Sequence, residues 1–577
     1  MTIAAFLFTT CDYNPLDSAP HDAFDEEFIF TNTRKARDYV HDTYNVLPYG
    51  NTHNNGFNRL GSGTSMIASA SDEAVPNVSG LPVEVLTNGS LSPSSSNPDA
   101  AWNSNYQGIR ALNIGLENID LMPEADSKSR EQWRAEMRVL RAYAHFELLK
   151  RYGGIPIVDR VLHLGEDLNI PRNTFEETVE FVVNEIDESI PHLLTPQETT
   201  ETEFGRISRG AAKALKSRVL LYAASDLFNG PGYDNSSNPL ISYGSNDSGR
   251  WVIAAQAAAD VINLNFYSIH APNEITDEQD DATVLANGEH NYRTLYYTLS
   301  GNRELILSRT SPQGNEVEKK NFPVGFTNGE GTTNPSRQMV EAYGMLNGKR
   351  IDDPNSGFDP ANPYVNRDPR FEASIFYDGK PWGGRLVETF VGGEDEVASN
   401  STRTGYYLSK FMNPNVRISG NENATNHCFP LIRYGEILLN YAEAVNEANG
   451  PDGQIGGTGL SAREAVELVR RRVLRPSDAQ INVQSQDEMR EIIRAERRVE
   501  LAFEDHRHID LRRWMTAEEI LGRNLDGTRI TRDEDGNPTF ERLTDVSSRV
   551  FNTRLYLYPI PILELSRNNA MIQNPLW

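Results

Sequence analysis

Cysteine is almost absent from this chain, since only Cys11 and Cys428 occur among its 577 residues. Two cysteines exclude a disulfide framework and any zinc site built on four cysteines. The apolar run before Cys11, residues 3–8, is far shorter than the ~20 residues that cross a bilayer as a helix. The chain is nevertheless long enough to bury a sizeable core, as one unit or as several domains.

Positive charge is also scarce. Lys and Arg number 55 against 81 Asp and Glu, which leaves a net charge of -26. Such a chain repels polyanions, so nucleic acid and an anionic bilayer surface are disfavoured as partners. A local basic stretch such as residues 470–472 can still reverse the field near one site. The sign of the ligand charge therefore stays open.

Common catalytic motifs are missing as well. The sequence has no Gly-x-Ser-x-Gly elbow, no His-Glu-x-x-His and no P-loop. Carboxylates are plentiful, but the sequence alone places no acid and nucleophile at the separation that glycoside hydrolysis needs. We therefore predict a binding protein with no catalytic residues.

Helical periodicity is clear in the N-terminal and C-terminal thirds. Apolar residues recur at spacings of three and four in three rows: Met137, Leu140, Ala144 and Leu148; Ala211, Leu215, Val219 and Tyr222; Tyr434, Leu438, Tyr441 and Val445. Such rows are typical of amphipathic helices that share a core. Helix breakers such as Gly153-Gly154-Ile155-Pro156 and Gly450-Pro451 follow, so we predict antiparallel helical hairpins.

The residue composition changes between residues 265 and 429, where Asn, Gly, Thr and Pro interrupt short apolar runs. This pattern predicts loop-rich mixed structure. Residues 49–75 and 87–101 have the same polar character. Long ordered loops on a rigid scaffold are where binding residues usually lie, so we expect the ligand there.

Several short motifs occur in a characteristic order. The C-terminal quarter holds RYGEILLNYAEA at residues 433–444, ERRVELAFEDHR at 496–507, PIP at 559–561 and QNP at 573–575. Upstream lie WNSNY at 102–106, RAY at 141–143, RYGGIP at 151–156, and GR at 205–206 ahead of the helical residues 211–222. Together these motifs resemble the SusD/RagB family of surface glycan-binding lipoproteins.

The resemblance implies a mostly α fold, a tetratricopeptide-like scaffold of helical hairpins with a loop-rich mixed α/β subdomain. Residues 1–11 are then a lipoprotein signal segment, and residues 12–577 form a single SusD-like unit. The scaffold is expected at about 25–264 and 430–520, the mixed subdomain at about 265–429, and a C-terminal segment at 521–577.

The resemblance also implies a function and a partner. The protein would capture an oligosaccharide or polysaccharide and deliver it to a SusC-like TonB-dependent transporter in the outer membrane. Three alternatives stay open: a RagB-like protein that carries peptides, a glycoside hydrolase, and a scaffold that binds its barrel without any ligand. The sequence does not identify the glycan, its linkage or its length.

Cys11 is the predicted lipid attachment site. It ends the short apolar run and is followed by the polar, proline-broken Asp12-Tyr13-Asn14-Pro15. This arrangement is typical of a lipoprotein signal peptide that is cut before the cysteine. The alternative is an incidental thiol near the terminus. A lipidated Cys11 would place the protein on the cell surface, anchored in the outer membrane.

The resemblance carries part of the glycan site to positions near the first motif. Asp72, Trp102 and Asn105 are the best candidates, and Asn54 lies in the polar segment before them. Sugars require carboxylate and amide partners for their hydroxyls and flat rings for their CH faces. The family often adds an arginine shortly after the aspartate, but this chain has Gly80 and Leu81 there. The alternative for Trp102 is a packed helix start.

Further candidates lie in the central loops. Phe322, Phe326, Trp382 and Arg385 occur in stretches rich in Pro and Gly. A tryptophan between Pro381 and two glycines falls outside regular elements, so Trp382 is predicted as an exposed stacking platform with Arg385 as a donor. The alternative is a loop anchor that packs into the core.

No metal or cofactor is predicted. His506, His508 and Asp510 superficially resemble a metal cluster, but their charged neighbours favour a helix and turn held by charge-assisted hydrogen bonds. Asp533-Glu534-Asp535-Gly536-Asn537 has its glycine too early for a calcium loop and is interpreted as a turn. Structural calcium at the acidic Gly393-Glu394-Asp395-Glu396 stays open.

Overall fold

The computed structural model describes residues 26–47, 65–123, 126–163, 165–200, 203–310, 313–396, 401–417 and 423–577. Cys11 and Asn54 lie outside these residues. The described chain is mostly helical, as predicted. Its first helices are α1 Glu26–Phe30, α2 Thr33–Thr43, α3 Trp102–Asn118, α4 Ser127–Tyr152, α5 Phe175–Ser189, α6 Arg209–Ala224 and α7 Gly249–Ile262. The others are α8 Asp281–Thr294, α9 Glu316–Asn321, α10 Arg337–Ala342, α11 Pro369–Ser374, α12 Tyr434–Asn449, α13 Ala462–Arg470, α14 Gln486–Glu500, α15 Arg507–Arg513, α16 Ala517–Leu521 and α17 Ile562–Arg567.

The long helices pack in pairs as the apolar rows predicted. Helix α3 packs on α4, α4 on α5, α6 on α7, α7 on α12, and α12 on α13 and α14. Leu140, Leu215 and Leu438 are all buried at these contacts. Helix α4 ends before Gly153 and α12 ends before Gly450, where positive φ angles of 77° and 80° stop the helix. In the described part of the chain, none of the helices has the length and apolarity needed to cross a bilayer.

Helix α14 begins at a capping box. The Ser485 hydroxyl accepts a hydrogen bond from the Glu488 backbone N–H at 3.1 Å, and the Glu488 carboxylate accepts one from the Ser485 N–H at 3.4 Å. This reciprocal pair satisfies two N–H groups that a helix start otherwise leaves unbonded. The capping box therefore fixes where α14 begins. Within this helix Arg494 and Arg498 lie four residues apart, so their side chains share one side of it.

The strands form antiparallel pairs. The strands are β1 Ala74–Pro76, β2 Leu305–Thr310, β3 Thr333–Pro335, β4 Ile375–Phe376, β5 Pro381–Trp382, β6 Arg385–Leu386, β7 Tyr407–Leu408, β8 Cys428–Arg433, β9 Leu525–Arg532 and β10 Pro538–Ser547. The pairs are β1 with β3, β2 with β8, β4 with β7, β5 with β6, and β9 with β10. The last pair is a hairpin that turns at residues 533–537, as predicted. The β1–β3 pair places the segment after Asp72 beside the central loops.

A buried ion network joins the scaffold to the central loops. Arg433, at the end of β8, donates to Glu304 at 2.8 Å, Glu500 at 2.7 Å and Glu504 at 2.8 Å. Lys410 donates to Glu504 at 2.8 Å. These side chains are each at most 1% exposed. The charge-assisted hydrogen bonds that we predicted for the charged neighbours of His506, His508 and Asp510 are thus confirmed at Glu500 and Glu504.

Candidate ligand-binding site

Asp72 is buried and paired, which differs from the role predicted for it. Its Oδ1 accepts from Arg507 Nε at 2.7 Å, and its Oδ2 accepts from Arg498 Nη2 at 2.7 Å and Arg507 Nη2 at 3.0 Å. Although burial alone raises the pKa of Asp72, the two guanidinium charges hold that pKa below its ordinary value. Both oxygens are therefore occupied, and the prediction that Asp72 meets sugar hydroxyls is corrected to a positioning role.

The pKa of the neighbouring Glu73 is shifted in the opposite direction. Burial raises the pKa of its carboxyl group to about 8. A raised pKa is typical of general acids, but Glu73 is only 1% exposed. Its Oε1 accepts from the Phe503 backbone N–H at 3.0 Å. In this arrangement the group holds the chain segment after Asp72 against the start of the turn that follows α14.

Trp102 and Asn105 form a packed helix start, the alternative considered for Trp102. The Trp102 ring lies 5.1 Å from the Tyr106 ring and 4.9 Å from the Tyr152 ring between centroids. Asn105 Nδ2 donates to the Ala101 carbonyl at 2.7 Å. Both residues are buried, and the Trp102 ring anchors α3 on α4 through Tyr152. Trp102 also lines a surface pocket, so its direct contact with a glycan stays a prediction, as does that of Asn105.

The structure brings the four central candidates together. The Phe322 ring centroid lies 5.2 Å from that of Phe326 and 6.4 Å from that of Trp382. The Arg385 guanidinium lies 3.8 Å from the centroid of the Phe326 ring. Phe326 and Arg385 are partly exposed, so these two side chains are the accessible part of the group.

Trp382 is a core anchor, so the prediction of an exposed platform is wrong. Its side chain packs edge-on against Phe376 at 5.0 Å between ring centroids, and the Arg293 guanidinium lies 4.9 Å from its ring. Only 8% of Trp382 is exposed, and 5% of Phe322. The apolar area of two large rings outweighs their position beside turns rich in Pro and Gly, because burial of such rings contributes strongly to folding.

Asp395 fixes the position of Arg385. Its carboxylate accepts from Arg385 Nη1 at 2.8 Å and Nη2 at 2.9 Å, and also from the Gly325 backbone N–H at 2.9 Å. This bidentate pair ties the loop that carries Phe326 to the β5–β6 turn. Both Asp395 oxygens are used within the protein.

Residues that the sequence reasoning missed lie beside these loops. Asn77 Nδ2 donates to the Glu330 carbonyl at 3.0 Å, just beyond the β1–β3 pair. Arg403 Nη1 donates to the Pro76 carbonyl at 3.3 Å and lies 3.5 Å from a Glu84 carboxylate oxygen. A guanidinium group thus lies close to the segment where Gly80 and Leu81 replace the arginine that the family resemblance suggests.

These contacts connect into one partly exposed surface, which we call the loop patch. It consists of Asn77, Glu84, Phe326, Glu330, Arg385 and Arg403. Phe326 begins a turn closed by the Gly329 N–H at 2.9 Å, and Glu330 follows at once. The patch combines amide, carboxylate and guanidinium groups with one aromatic ring, which is the chemistry that sugar hydroxyls and CH faces require.

Comparisons with known proteins match most of the chain. A family model described as the SusD family matches residues 302–577, and another, described as starch-binding and associating with the outer membrane, matches residues 64–221. SusD-like protein P38 of Formosa agariphila is 25% identical over 461 residues, which cover 76% of each chain. A SusD-like protein of Bacteroides ovatus is 22% identical over 511 residues, covering 83% of this chain and 80% of that protein.

Solved structures show the same fold over nearly the whole length. A SusD-like protein from Bacteroides fragilis has a TM-score of 0.75 at 25% identity, covering 97% of this chain and 100% of its own. A laminarin-binding SusD-like protein has a TM-score of 0.61 at 21% identity, covering 95% and 100%. The predicted helical-hairpin scaffold of the tetratricopeptide-like type is therefore confirmed.

Proposed function

The chain belongs to the SusD/RagB family, and on this basis we propose that it captures an oligosaccharide or polysaccharide at the cell surface. A structural relative from Bacteroides fragilis, with a TM-score of 0.72, is described as a SusD-like carbohydrate-binding protein, and another relative is described as laminarin-binding. The observation that carries the proposal is the loop patch, because it joins an aromatic ring to polar groups that suit a sugar.

In the proposed binding mode, the CH face of a sugar packs against the exposed part of the Phe326 ring. Arg385, held over that ring by Asp395, and Arg403 donate to hydroxyl oxygens, while Glu84 accepts from hydroxyl groups. A shallow carbohydrate site of this kind keeps many hydroxyls bridged by water, so its affinity is expected to be modest.

Phe326→Ala should weaken glycan binding at least about tenfold, because an aromatic anchor in a small interface contributes ~2 kcal/mol or more. The variant also removes the ring that supports Arg385. A glycan microarray on the soluble chain that starts after Cys11 would first identify the glycan. Calorimetry with that glycan would then compare the variant with the original chain.

Phe181→Ala is the matched control, since Phe181 is a partly exposed phenylalanine on α5 of the helical scaffold. It should bind as the original chain does. Unchanged affinity of Phe326→Ala would move the site away from the loop patch. Binding of peptide mixtures instead of any glycan, or release of reducing ends from the bound glycan, would contradict the proposed function itself.

We also propose that lipid on Cys11 anchors the protein in the outer membrane. There the protein delivers the glycan to a SusC-like TonB-dependent transporter. The description of the model that matches residues 64–221 supports outer-membrane association. Cys11→Ala should shift the protein from the washed membrane fraction to the soluble fraction, because the covalent lipid supplies most of the membrane affinity. The measurement is fractionation in a strain without the transporter, where retention of the variant would contradict the anchor.

A further inference from the structure

A second concave site lies on another part of the surface. Helix α10, the loop after it, α14 and the α15–α16 region enclose a cleft of about 600 Å³. None of the six loop-patch residues lines this cleft. Four arginines do: Arg350, Arg494, Arg498 and Arg507. This volume lies within the range of small-molecule sites, which is roughly 300–1,000 Å³.

Arg494 has hydrogen-bond donors to spare. The nearest carboxylate oxygens, those of Asp226 and Glu491, are 3.8 and 3.9 Å from its nitrogens, beyond hydrogen-bond length. Its guanidinium lies 5.0 Å from the centroid of the Trp514 ring, which holds it by a cation–π contact. The group is therefore positioned in the cleft while its donors remain available for a ligand.

Two further arginines share a single carboxylate at the cleft floor. Arg498 and Arg507 both donate to Asp72, so one negative charge faces two positive charges. Arg498 Nε is buried and has no hydrogen-bond partner in the described part of the chain. A buried donor without a partner is costly, and a ligand oxygen in the cleft would relieve that cost.

Three of the four acidic side chains that line the cleft are already paired, and the fourth, Glu491, is 74% exposed and lies 3.9 Å from Arg494. Glu341 accepts from Arg337 at 2.7 Å and from Arg542 at 2.7 Å. Asp352 pairs with Arg350 at 2.8 Å, and Glu519 pairs with Arg523 at 2.6 Å. At the floor, Arg498 and Arg507 share the single carboxylate of Asp72, which leaves one positive charge in excess there, in a chain whose net charge is -26. A local field of this sign attracts anions.

We propose that this arginine cleft binds an oxyanion group, the carboxylate or sulfate of an acidic sugar. Guanidinium groups match planar or tetrahedral oxyanions through two parallel N–H donors. The anion site follows from the cleft alone. That the acidic sugar belongs to the captured glycan rests on the proposed function, in which the loop patch binds hydroxyls of the same glycan.

The test uses three probes in calorimetry at low ionic strength: tri-galacturonate, its methyl ester and a sulfated galactan tetrasaccharide. The original chain should bind at least one acidic probe at least tenfold more tightly than the uncharged ester, and added salt should weaken that binding. Tri-galacturonate alone would assign a carboxylate site, and the sulfated probe alone a sulfate site. Failure of both acidic probes to bind would overturn the proposal.

Arg494→Gln should weaken binding of the acidic probe about tenfold or more, because it removes a charged donor that hydrogen-bonds the anion. Arg490→Gln is the matched control: Arg490 lies on the same helix at similar exposure, 25% against 20%, but pairs with Glu447 outside the cleft. Arg350→Gln, at a rim residue whose side chain is 72% exposed, is a second variant that should fold normally and bind more weakly, because it removes one cation and frees the Asp352 carboxylate. Affinity for the acidic probe equal to that of the original chain in both Arg494→Gln and Arg350→Gln would contradict the cleft. A loss of affinity in Arg490→Gln as large as that in Arg494→Gln would also contradict it.

Phe326→Ala separates this inference from the proposed function. Acidic-probe binding that survives Phe326→Ala and falls in Arg494→Gln supports the cleft, even if the microarray finds no glycan for the loop patch. The reverse pattern would assign the acidic probe to the loop patch and overturn the cleft.

Discussion

Arg433→Met should lower the free energy of unfolding by about 3–5 kcal/mol or more, the cost of breaking a buried ion pair by removing one partner. Arg433 is 1% exposed and faces the carboxylates of Glu304, Glu500 and Glu504. Methionine fills similar space but leaves these charges with less compensation. Since domains are stable by only ~5–15 kcal/mol, the variant should retain little of its free energy of unfolding. Its urea unfolding midpoint should fall accordingly.

Arg523→Met is the matched control for that result. Arg523 pairs with Glu519 at 2.6 Å, but both side chains are about 70% exposed. Water and salt screen such a pair, so its loss should change the free energy of unfolding by at most ~1 kcal/mol. Similar urea midpoints for the two variants would show that the buried network contributes no more than a surface pair.

Trp382→Ala should destabilise the protein by about 3–5 kcal/mol, the usual cost of removing a large buried ring. The ring packs on Phe376 and Phe322, and the guanidinium of Arg293 covers it. An exposed platform, the role expected from its Pro and Gly neighbours, would have left stability almost unchanged. Equilibrium unfolding in urea distinguishes the two roles directly.

Phe326→Ala provides the comparison within the same loops. Phe326 is partly exposed, so less apolar area is lost and the cost should be below half of that for Trp382→Ala. The two variants should therefore separate a ring that stabilises the fold from a ring that is proposed to bind ligand. A larger loss of stability in Phe326→Ala would reverse these assignments.

The scaffold was predictable because helix formation leaves a local periodic trace. The apolar rows through Leu140, Leu215 and Leu438 predicted α4, α6 and α12, and glycines marked where α4 and α12 end. The order of the short motifs predicted the SusD/RagB family, which the comparisons then showed. Both inferences need only residues that are close together in the chain, or their order along it.

The ligand site was only partly predictable. The sequence predicted Phe322, Phe326, Trp382 and Arg385 as candidates in the central loops, and the structure brings these four side chains together. Which of these rings faces solvent had no signal in the sequence, because loops lack the periodicity that separates a buried face from an exposed one.

The sequence by itself determined the helical scaffold, the family and the strong negative charge. Only the tertiary structure decided that Asp72 is enclosed by Arg498 and Arg507, more than 400 residues away in the chain, and that Arg403 lies beside Pro76 and Glu84. The physical reason is that ion pairs and burial depend on distance in space. Loop-closure entropy changes little between such long separations, so it does not select which residues pair. The packing of the whole fold selects the ion-pair partners.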